Sequence, residues 1–224
     1  MNKVVIIGTG KTSDIIYEYL KNDYEIIGFA ENGVSTIYDV NQGLPVYELN
    51  DLSNKVDMEE TQLFVAIGVS KLNTIRQRIY ENLRNDGWKF VTYIHPRATV
   101  ASTVTIGENC IVMEENVIQD YVTIGDNNIL WSGNHIGHHT HIGNHNFISS
   151  HVVISGNCKI GDNNFFGVNS CIGDEVSVGN YNWLSPLTSS VEDIGDEQLL
   201  VLPKEARPVV AKLSTKRYFK VEVE

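Results

Sequence analysis

Short apolar runs alternate with segments of helical periodicity over the first ninety residues. The runs lie at residues 4–7, 25–29 and 63–68, and each contains or meets a glycine, as short buried strands of a parallel sheet do. Apolar residues at helical spacing follow the first run at residues 15–20 and the third run at residues 72–83. Alternating strands and helices of this length predict a small parallel α/β domain in this half, residues 1–90.

From residue 94 onward, an apolar residue recurs at every sixth position. The series has 16 members without a break, and at a hydrophobic background of 42% its chance probability is about one in a million. At the fourth position after most of these residues, the side chain is small or short. This period predicts a parallel β-helix of hexapeptide repeats over residues 91–224, in which each strand gives one bulky and one small side chain to the core. The apolar positions are Ile94, Val100, Ile106, Val112, Ile118, Ile124, Leu130, Ile136, Ile142, Ile148, Ile154, Ile160, Phe166, Ile172, Val178 and Leu184.

Charge and cysteine content narrow the class of protein. Lys and Arg number 17 against 28 Asp and Glu, which disfavours a nucleic-acid partner because phosphate backbones reward clustered cations. No run approaches the roughly 18 apolar residues of a membrane span, so no membrane insertion is expected. The three cysteines have no C-x-x-C spacing, which favours neither a disulfide framework nor a structural zinc site. We therefore expect a cytoplasmic protein.

The hexapeptide array resembles the left-handed β-helix of acyltransferases. Residues 87–100, GWKFVTYIHPRATV, resemble the junction found in bacterial sugar O- and N-acetyltransferases of the NeuD and PglD kind. In that family a small Rossmann-like domain precedes the β-helix, and the members are typically trimers with active sites between neighbouring β-helices. The resemblance thus implies a homotrimer that transfers an acetyl group from acetyl-CoA to a sugar, often a nucleotide-linked amino sugar, for surface polysaccharide or glycan synthesis.

Six of the seven histidines lie within residues 135–151 of the predicted β-helix. Acyl transfer needs a base that takes a proton from the acceptor and a donor that stabilises the oxyanion, so this segment is the candidate catalytic region. Residues 155–170 resemble the stretch that follows the catalytic histidine of the family. This resemblance places the general base at His138 and the oxyanion donor at the backbone N–H of Gly156.

The neighbours of His138 follow from the coil length that the resemblance implies. With three hexapeptides per coil, residues 18 apart stack about 4.8 Å from one another, so His138 is expected between Asp120 and Gly156. The family often has an acidic residue after its histidine, whereas this chain has His139, and Asp120 is the candidate orienting group instead. His135 is the rival base. Merely solvated histidines remain an alternative, and a metal site of His135, His138 and His139 is disfavoured because outward corners scatter ligands.

The same resemblance places the CoA co-substrate. It is expected along Gly156, Val168 and Asn169 and in the following coil near Pro186. The family usually carries a Gly-x-Pro-Ala-Lys turn near the adenine end of CoA, whereas residues 202–208 of this chain read LPKEARP.

A glycine-containing loop follows the first predicted strand. Gly8, Gly10 and Lys11 open the first helix, and Glu31 ends the next strand, which is the context of a dinucleotide fingerprint with Ser13 in place of the third glycine. Such a loop at a helix N-terminus binds phosphate. In the resembled family it is associated with the nucleotide of the acceptor sugar, while NAD binding and a purely structural turn remain alternatives.

The predicted function is N-acetylation of a nucleotide-linked amino sugar by direct attack of the amine on the thioester. No serine or cysteine is singled out as a nucleophile for a covalent intermediate. O-acetylation of a sugar or sialic-acid-type acceptor, a different acyl donor, and a catalytically inactive sugar-nucleotide-binding scaffold are the alternatives.

Overall fold

The apolar runs of the first half form one five-stranded sheet in the computed structural model, which describes residues 1–33 and 40–203. The sheet order is β3-β4-β2-β1-β5, and all pairs are parallel except the antiparallel pair of β3 and β4 at the edge. This is the predicted Rossmann-like arrangement. The elements are β1 (Lys3–Ile7), α1 (Lys11–Leu20), β2 (Glu25–Glu31), β3 (Val40–Asn41), β4 (Leu44–Glu48), a 3₁₀ helix (Leu49–Asn54), β5 (Thr61–Val65) and α2 (Thr74–Asn85).

Helix α2 begins later than its apolar periodicity predicts. The periodic spacing starts at Leu72, but Leu72 and Asn73 have φ values of 49° and 64°, in the left-handed region, so they cannot belong to an α-helix. The helix therefore starts at Thr74. Throughout the described part of the chain, no helix has the length and apolar character needed to cross a membrane.

The hexapeptide period forms the predicted left-handed β-helix, whose flat faces are three parallel sheets of two-residue strands. Strands 18 residues apart pair in register, as His135 does with Val117 and Val153. Sheet I contains Tyr93–Ile94, Ile111–Val112, Ile129–Leu130, Phe147–Ile148, Phe165–Phe166, Trp183–Leu184 and Leu199–Leu200. Sheet II contains Thr99–Val100, Val117–Ile118, His135–Ile136, Val153–Ile154, Cys171–Ile172 and Ser189–Ser190. Sheet III contains Thr105–Ile106, Thr123–Ile124, His141–Ile142, Lys159–Ile160 and Ser177–Val178.

The core of the β-helix combines an apolar column with ladders of asparagine. The sixth-position residues from Ile118 onward are buried, whereas Ile94, at the open end of the first coil, is 41% exposed. The buried amide of Asn128 donates to the carbonyls of Gly125 and Gly143 and accepts the N–H of Asn146 at 2.8 Å. Each buried amide thus stabilises two coils at once, because its partners belong to neighbouring turns.

The α/β domain packs on the outer face of sheet I. The outward residues Ile111, Ile129 and Phe147 are buried in the same cluster as Ile16 and Leu20 of α1. Burial of this apolar stripe is a main source of the contact energy between the two parts of the chain. These strands of sheet I are therefore covered, and sheets II and III carry outer faces that this domain leaves free.

A buried arginine of α2 fixes the domain to one edge of sheet I. The two Nη atoms of Arg76 donate to the carbonyls of Asn127, His145 and Asn146, at 2.9 to 3.3 Å, and to two acceptors of its own domain. These three carbonyls belong to the corner between sheets III and I. The side chain is fully buried, and burial lowers the pKa of its guanidinium.

His145 lies in the same contact and makes it sensitive to acid. Its ring is almost fully buried, its Nδ1 accepts from the amide of Asn127 at 2.8 Å, and its Nε2 is 3.6 Å from Glu81. Burial lowers the pKa of His145, an effect that the Arg76 cation reinforces and the carboxylates of Glu81, Asp162 and Asp126 oppose.

Acidification is expected to destabilise the protein through His145. Because the folded-state pKa lies below the unfolded value, the unfolded chain binds more protons, and stability is lost as the pH falls from about 6.5 through the folded pKa. His145→Asn removes the titration and keeps an acceptor for Asn127. The loss in melting temperature between pH 7.5 and 5.5 should therefore be smaller in this variant than in the wild type. His151→Asn, at an exposed corner with a similar φ of 59°, is the matched control; an equal change in both variants would contradict the prediction.

Candidate active site

The corner between sheets II and III stacks Asp120, His138, Gly156 and Asp174 in successive coils. The N–H of His139 donates to the carbonyl of Asp120 at 3.0 Å, and the next two coils repeat this bond to the carbonyls of His138 and Gly156 at 2.9 Å. We call these four residues the corner column. The structure thus brings together the candidate base, the candidate oxyanion donor and the candidate orienting group.

His138 and Gly156 approach each other closely. A Cβ placed on Gly156 would lie 2.9 Å from Cε1 and 3.1 Å from Nε2 of His138, closer than unstrained carbon contacts allow. The N–H of Gly156 donates to no group within residues 1–33 and 40–203. The imidazole of His138 therefore lies against Gly156, whose amide has no partner among the described residues; proton abstraction and oxyanion stabilisation need a base and a free donor of these kinds.

The ring of His138 has a different partner from the one that the sequence predicts. Its Nδ1 is 3.2 Å from Nδ1 of His139, and its backbone N–H donates to Oε1 of Gln119 at 2.9 Å. The carboxylate of Asp120 accepts from the hydroxyl of Thr103 at 3.1 Å. Among the described residues, Asp120 and His138 share no hydrogen bond between side chains, so an orienting role for Asp120 stays a prediction.

The other clustered histidines are dispersed because one coil passes all three corners. His135 lies in sheet II, half-exposed between Val117 and Val153, and His141 lies in sheet III, hydrogen-bonded to Thr123. His145 and His151 occupy the two remaining corners. In the part of the chain that the structure describes, no three His, Cys, Asp or Glu side chains are grouped as a metal site would require.

The residues expected to contact CoA divide between two corners. Val168 and Pro186 stack at the corner between sheets I and II, where the N–H of Leu187 donates to the carbonyl of Val168 at 3.0 Å. Asn169, exposed and with φ of 57°, lies beside them. Gly156 lies at the opposite edge of sheet II, so these residues border the outer face of that sheet from both sides.

The glycine loop lies at the carboxyl edge of the α/β sheet. Gly8, with φ of 111°, follows β1, and Gly10 is the N-cap of α1 without a side-chain capping bond. Lys11 is exposed in the first helical turn, and the hydroxyl of Thr9 donates to the carboxylate of Glu31. The four predicted residues therefore come together, and the free N–H groups of the first helical turn point to an anion site.

The glycine loop and the corner column lie on opposite sides of the chain. The α/β domain packs on the outer face of sheet I, whereas the column stands at the corner opposite sheet I. One chain therefore presents these two sites in different directions.

Sequence reasoning missed Asp174 and Thr9. The carboxylate Oδ1 of Asp174 would lie 2.9 Å from a Cβ on Gly156, so it faces the same space as His138 from the following coil. The 18-residue spacing of 120, 138, 156 and 174 could have revealed Asp174. The bond from Thr9 to Glu31 depends on the pairing of β1 with β2, which the loop sequence alone does not show.

Comparison with protein families finds matches in both parts of the chain. Residues 3–83 match the PglD N-terminal domain, and residues 121–156 match the bacterial transferase hexapeptide (six repeats). Among curated proteins, no sequence matches the chain significantly.

Solved structures with similar folds cover most of the chain. The acetyltransferase domain of PglB from Neisseria gonorrhoeae FA1090 is 27% identical over 89% of this chain and 96% of that chain, with a TM-score of 0.78. The same domain in complex with acetyl coenzyme A has a TM-score of 0.77, at 27% identity over 88% and 95%. PerB from Caulobacter crescentus, in complex with CoA and GDP-perosamine, is 27% identical over 89% of this chain and 93% of that chain, with a TM-score of 0.78.

Proposed function

Since the chain is a sugar acetyltransferase of the NeuD and PglD kind, we propose that it transfers the acetyl group of acetyl-CoA to the amine of a nucleotide-linked amino sugar, with His138 as general base. The observation that carries the proposal is the close approach of the His138 ring to Gly156, whose N–H has no partner among the described residues. Similar structures that hold acetyl coenzyme A, or CoA with GDP-perosamine, support the choice of donor and acceptor class. The proposal includes a cytoplasmic role in surface polysaccharide or glycan synthesis.

The reaction follows from these two groups. The amine attacks the thioester carbonyl, the N–C bond forms, and Nε2 of His138 takes the proton that the amine loses. The N–H of Gly156 stabilises the oxyanion, and the C–S bond then breaks. The imidazolium returns its proton to the departing thiolate, so the products are an acetamido sugar and CoA thiol.

The two bound molecules are assigned to different parts of the protein. Residues 1–90 hold the nucleotide of the acceptor at Gly8, Gly10 and Lys11, where the N-terminus of α1 favours phosphate. Residues 91–224 bind CoA along Gly156 and the column of Val168 and Pro186, and perform the transfer. The family's adenine-end turn would correspond to residues 202–208, of which residues 204–208 lie outside the described part.

The active form is a homotrimer in this proposal. Within one chain, the glycine loop belongs to the domain on sheet I, and His138 lies at the opposite corner, so we assign the two ends of the acceptor to two different chains. Sheet II, which borders the corner column, carries the exposed side chains of Val117 and Val153 on its outer face. Packing of this face against a neighbouring chain would bury apolar surface and bring one chain's loop toward another chain's column.

Adding one methyl group at Gly156 is expected to lower activity strongly while leaving the fold intact. The new Cβ of Gly156→Ala would displace the ring of His138 and crowd the oxyanion position, and we expect kcat to fall about 100-fold, in the range of a lost oxyanion donor. Gly195→Ala, where a Cβ meets nothing within 4 Å, is the matched control. Steady-state kinetics and thermal melting check both variants, and unchanged kcat in Gly156→Ala would argue against this site.

The proposed function is tested by titrating the full chain with acetyl-CoA in a calorimeter and then measuring CoA thiol release with uridine-, thymidine- and guanosine-diphosphate amino sugars. We expect saturable acetyl-CoA binding and thiol release with one nucleotide class, and mass spectrometry should find the acetyl group on nitrogen. An acetyl ester instead would assign O-acetylation. Nucleotide binding without acetyl-CoA binding would overturn the transferase function and leave a binding scaffold.

A further inference from the structure

We propose that His139 is a positioning residue that fixes the tautomer of His138, an inference that rests on the proposed role of His138 as base. The two rings meet edge to face, with centroids 5.3 Å apart at 84°, and their Nδ1 atoms are 3.2 Å apart. Two ring nitrogens at this distance form a hydrogen bond only when one carries a proton and the other is bare. A proton on Nδ1 of His138 can therefore be shared in this hydrogen bond only when Nδ1 of His139 carries none.

His139 is itself held in place from the other side. Its ring lies against that of Tyr121 in a tilted arrangement, with centroids 4.7 Å apart at 35°, and its backbone N–H donates to the carbonyl of Asp120. Its φ of 58° turns the chain at the corner. His139 thus has contacts with two other residues in the absence of substrate, as a positioning residue needs.

The bond has a defined direction in a working site. Nε2 of His138 faces Gly156 and has to be bare to take the proton of the amine. The carboxylate of Asp174 faces the same space from the following coil. When Nδ1 of His138 donates to Nδ1 of His139, the proton is held at the far side of the ring and the lone pair of Nε2 stays free. After proton transfer, the imidazolium keeps the same bond.

Two substitutions that both tolerate the left-handed backbone separate this role from a structural one. His139→Gly deletes the acceptor, whereas the Oδ1 of Asn in His139→Asn occupies nearly the position of Nδ1. We expect His139→Gly to lower kcat about 10-fold with KM values little changed, the effect of one lost positioning hydrogen bond, and His139→Asn to recover most of it. Tyr181→Gly, exposed at another corner with φ of 57°, is the control for glycine at such a turn.

Long-range ¹H–¹⁵N NMR of histidine-labelled protein tests the tautomer without any substrate. We expect His138 to be protonated at Nδ1 and bare at Nε2 in the wild type and in His139→Asn, and to favour the Nε2-protonated form in His139→Gly. An Nε2-protonated His138 in the wild type, or equal kcat in all three proteins, would overturn the inference. A correct tautomer in a protein that transfers no acetyl group would instead refute the proposed function and leave the His139 hydrogen bond established.

Discussion

Replacing His138 by Asn is expected to lower kcat for acetyl transfer by about 10²- to 10⁴-fold, the range typical for loss of a general base. Asn cannot accept the proton at the position of Nε2, which faces Gly156. The melting temperature should change little, because the side chain of His138 is exposed. Steady-state kinetics with the identified nucleotide sugar, together with calorimetric titration of acetyl-CoA, measures the effect on turnover separately from the effect on binding.

The variant His135→Asn decides whether His138 or His135 is the general base. His135 lies on the outer face of sheet II and not in the corner column. A large loss in His135→Asn with nearly normal turnover in His138→Asn would assign the base to His135. His151→Asn, at the corner between sheets I and II, controls for the loss of an exposed imidazole.

Replacing Arg76 by Ala is expected to lower the free energy of unfolding by about 3–5 kcal/mol, the range for substitutions that open a cavity and leave buried polar groups without partners. The substitution leaves a cavity and deprives the buried carbonyls of Asn127 and His145 of their donor. Arg76→Lys should recover only part of the loss, because one ammonium group cannot reproduce the planar fork of donors.

Chemical denaturation measures the free energy of unfolding of Arg76→Ala and of a control variant on the same helix. Arg78→Ala, two residues along α2 and exposed, should change stability by no more than about 0.5 kcal/mol. A loss below about 1 kcal/mol in Arg76→Ala would show that the α/β domain is held on the β-helix mainly by the apolar contact on sheet I.

The fold can be predicted from the sequence where a short repeat specifies it. The hexapeptide period suffices because each bulky residue, such as Ile136, stacks on an equivalent residue 18 positions away, as Ile154 does. The start of α2 is not predictable in this way. The left-handed Asn73 is buried, and its amide donates to the carbonyl of Asn164, 91 residues away. A distant contact therefore decides where the helix begins.

The candidate site is predictable as a set of positions but not as a set of contacts. The 18-residue spacing places Asp120, His138 and Gly156 in one corner column, yet the direction of each side chain depends on its neighbours. The carboxylate of Asp120 bonds to Thr103, and His139 takes the position beside His138 instead. Histidines that are close in sequence are also not all close in space, because one coil passes all three corners of the β-helix.

The 18-residue coil also constrains how such a protein can change length in evolution. An insertion of one whole coil before residue 100 or after residue 180 adds height and leaves every corner column intact. A single hexapeptide inserted between Ile142 and Ile154 would instead rotate all later residues by a third of a turn, so Gly156 would face a different corner from His138. The catalytic geometry thus tolerates growth in units of complete turns, and only outside the segment that joins its two groups.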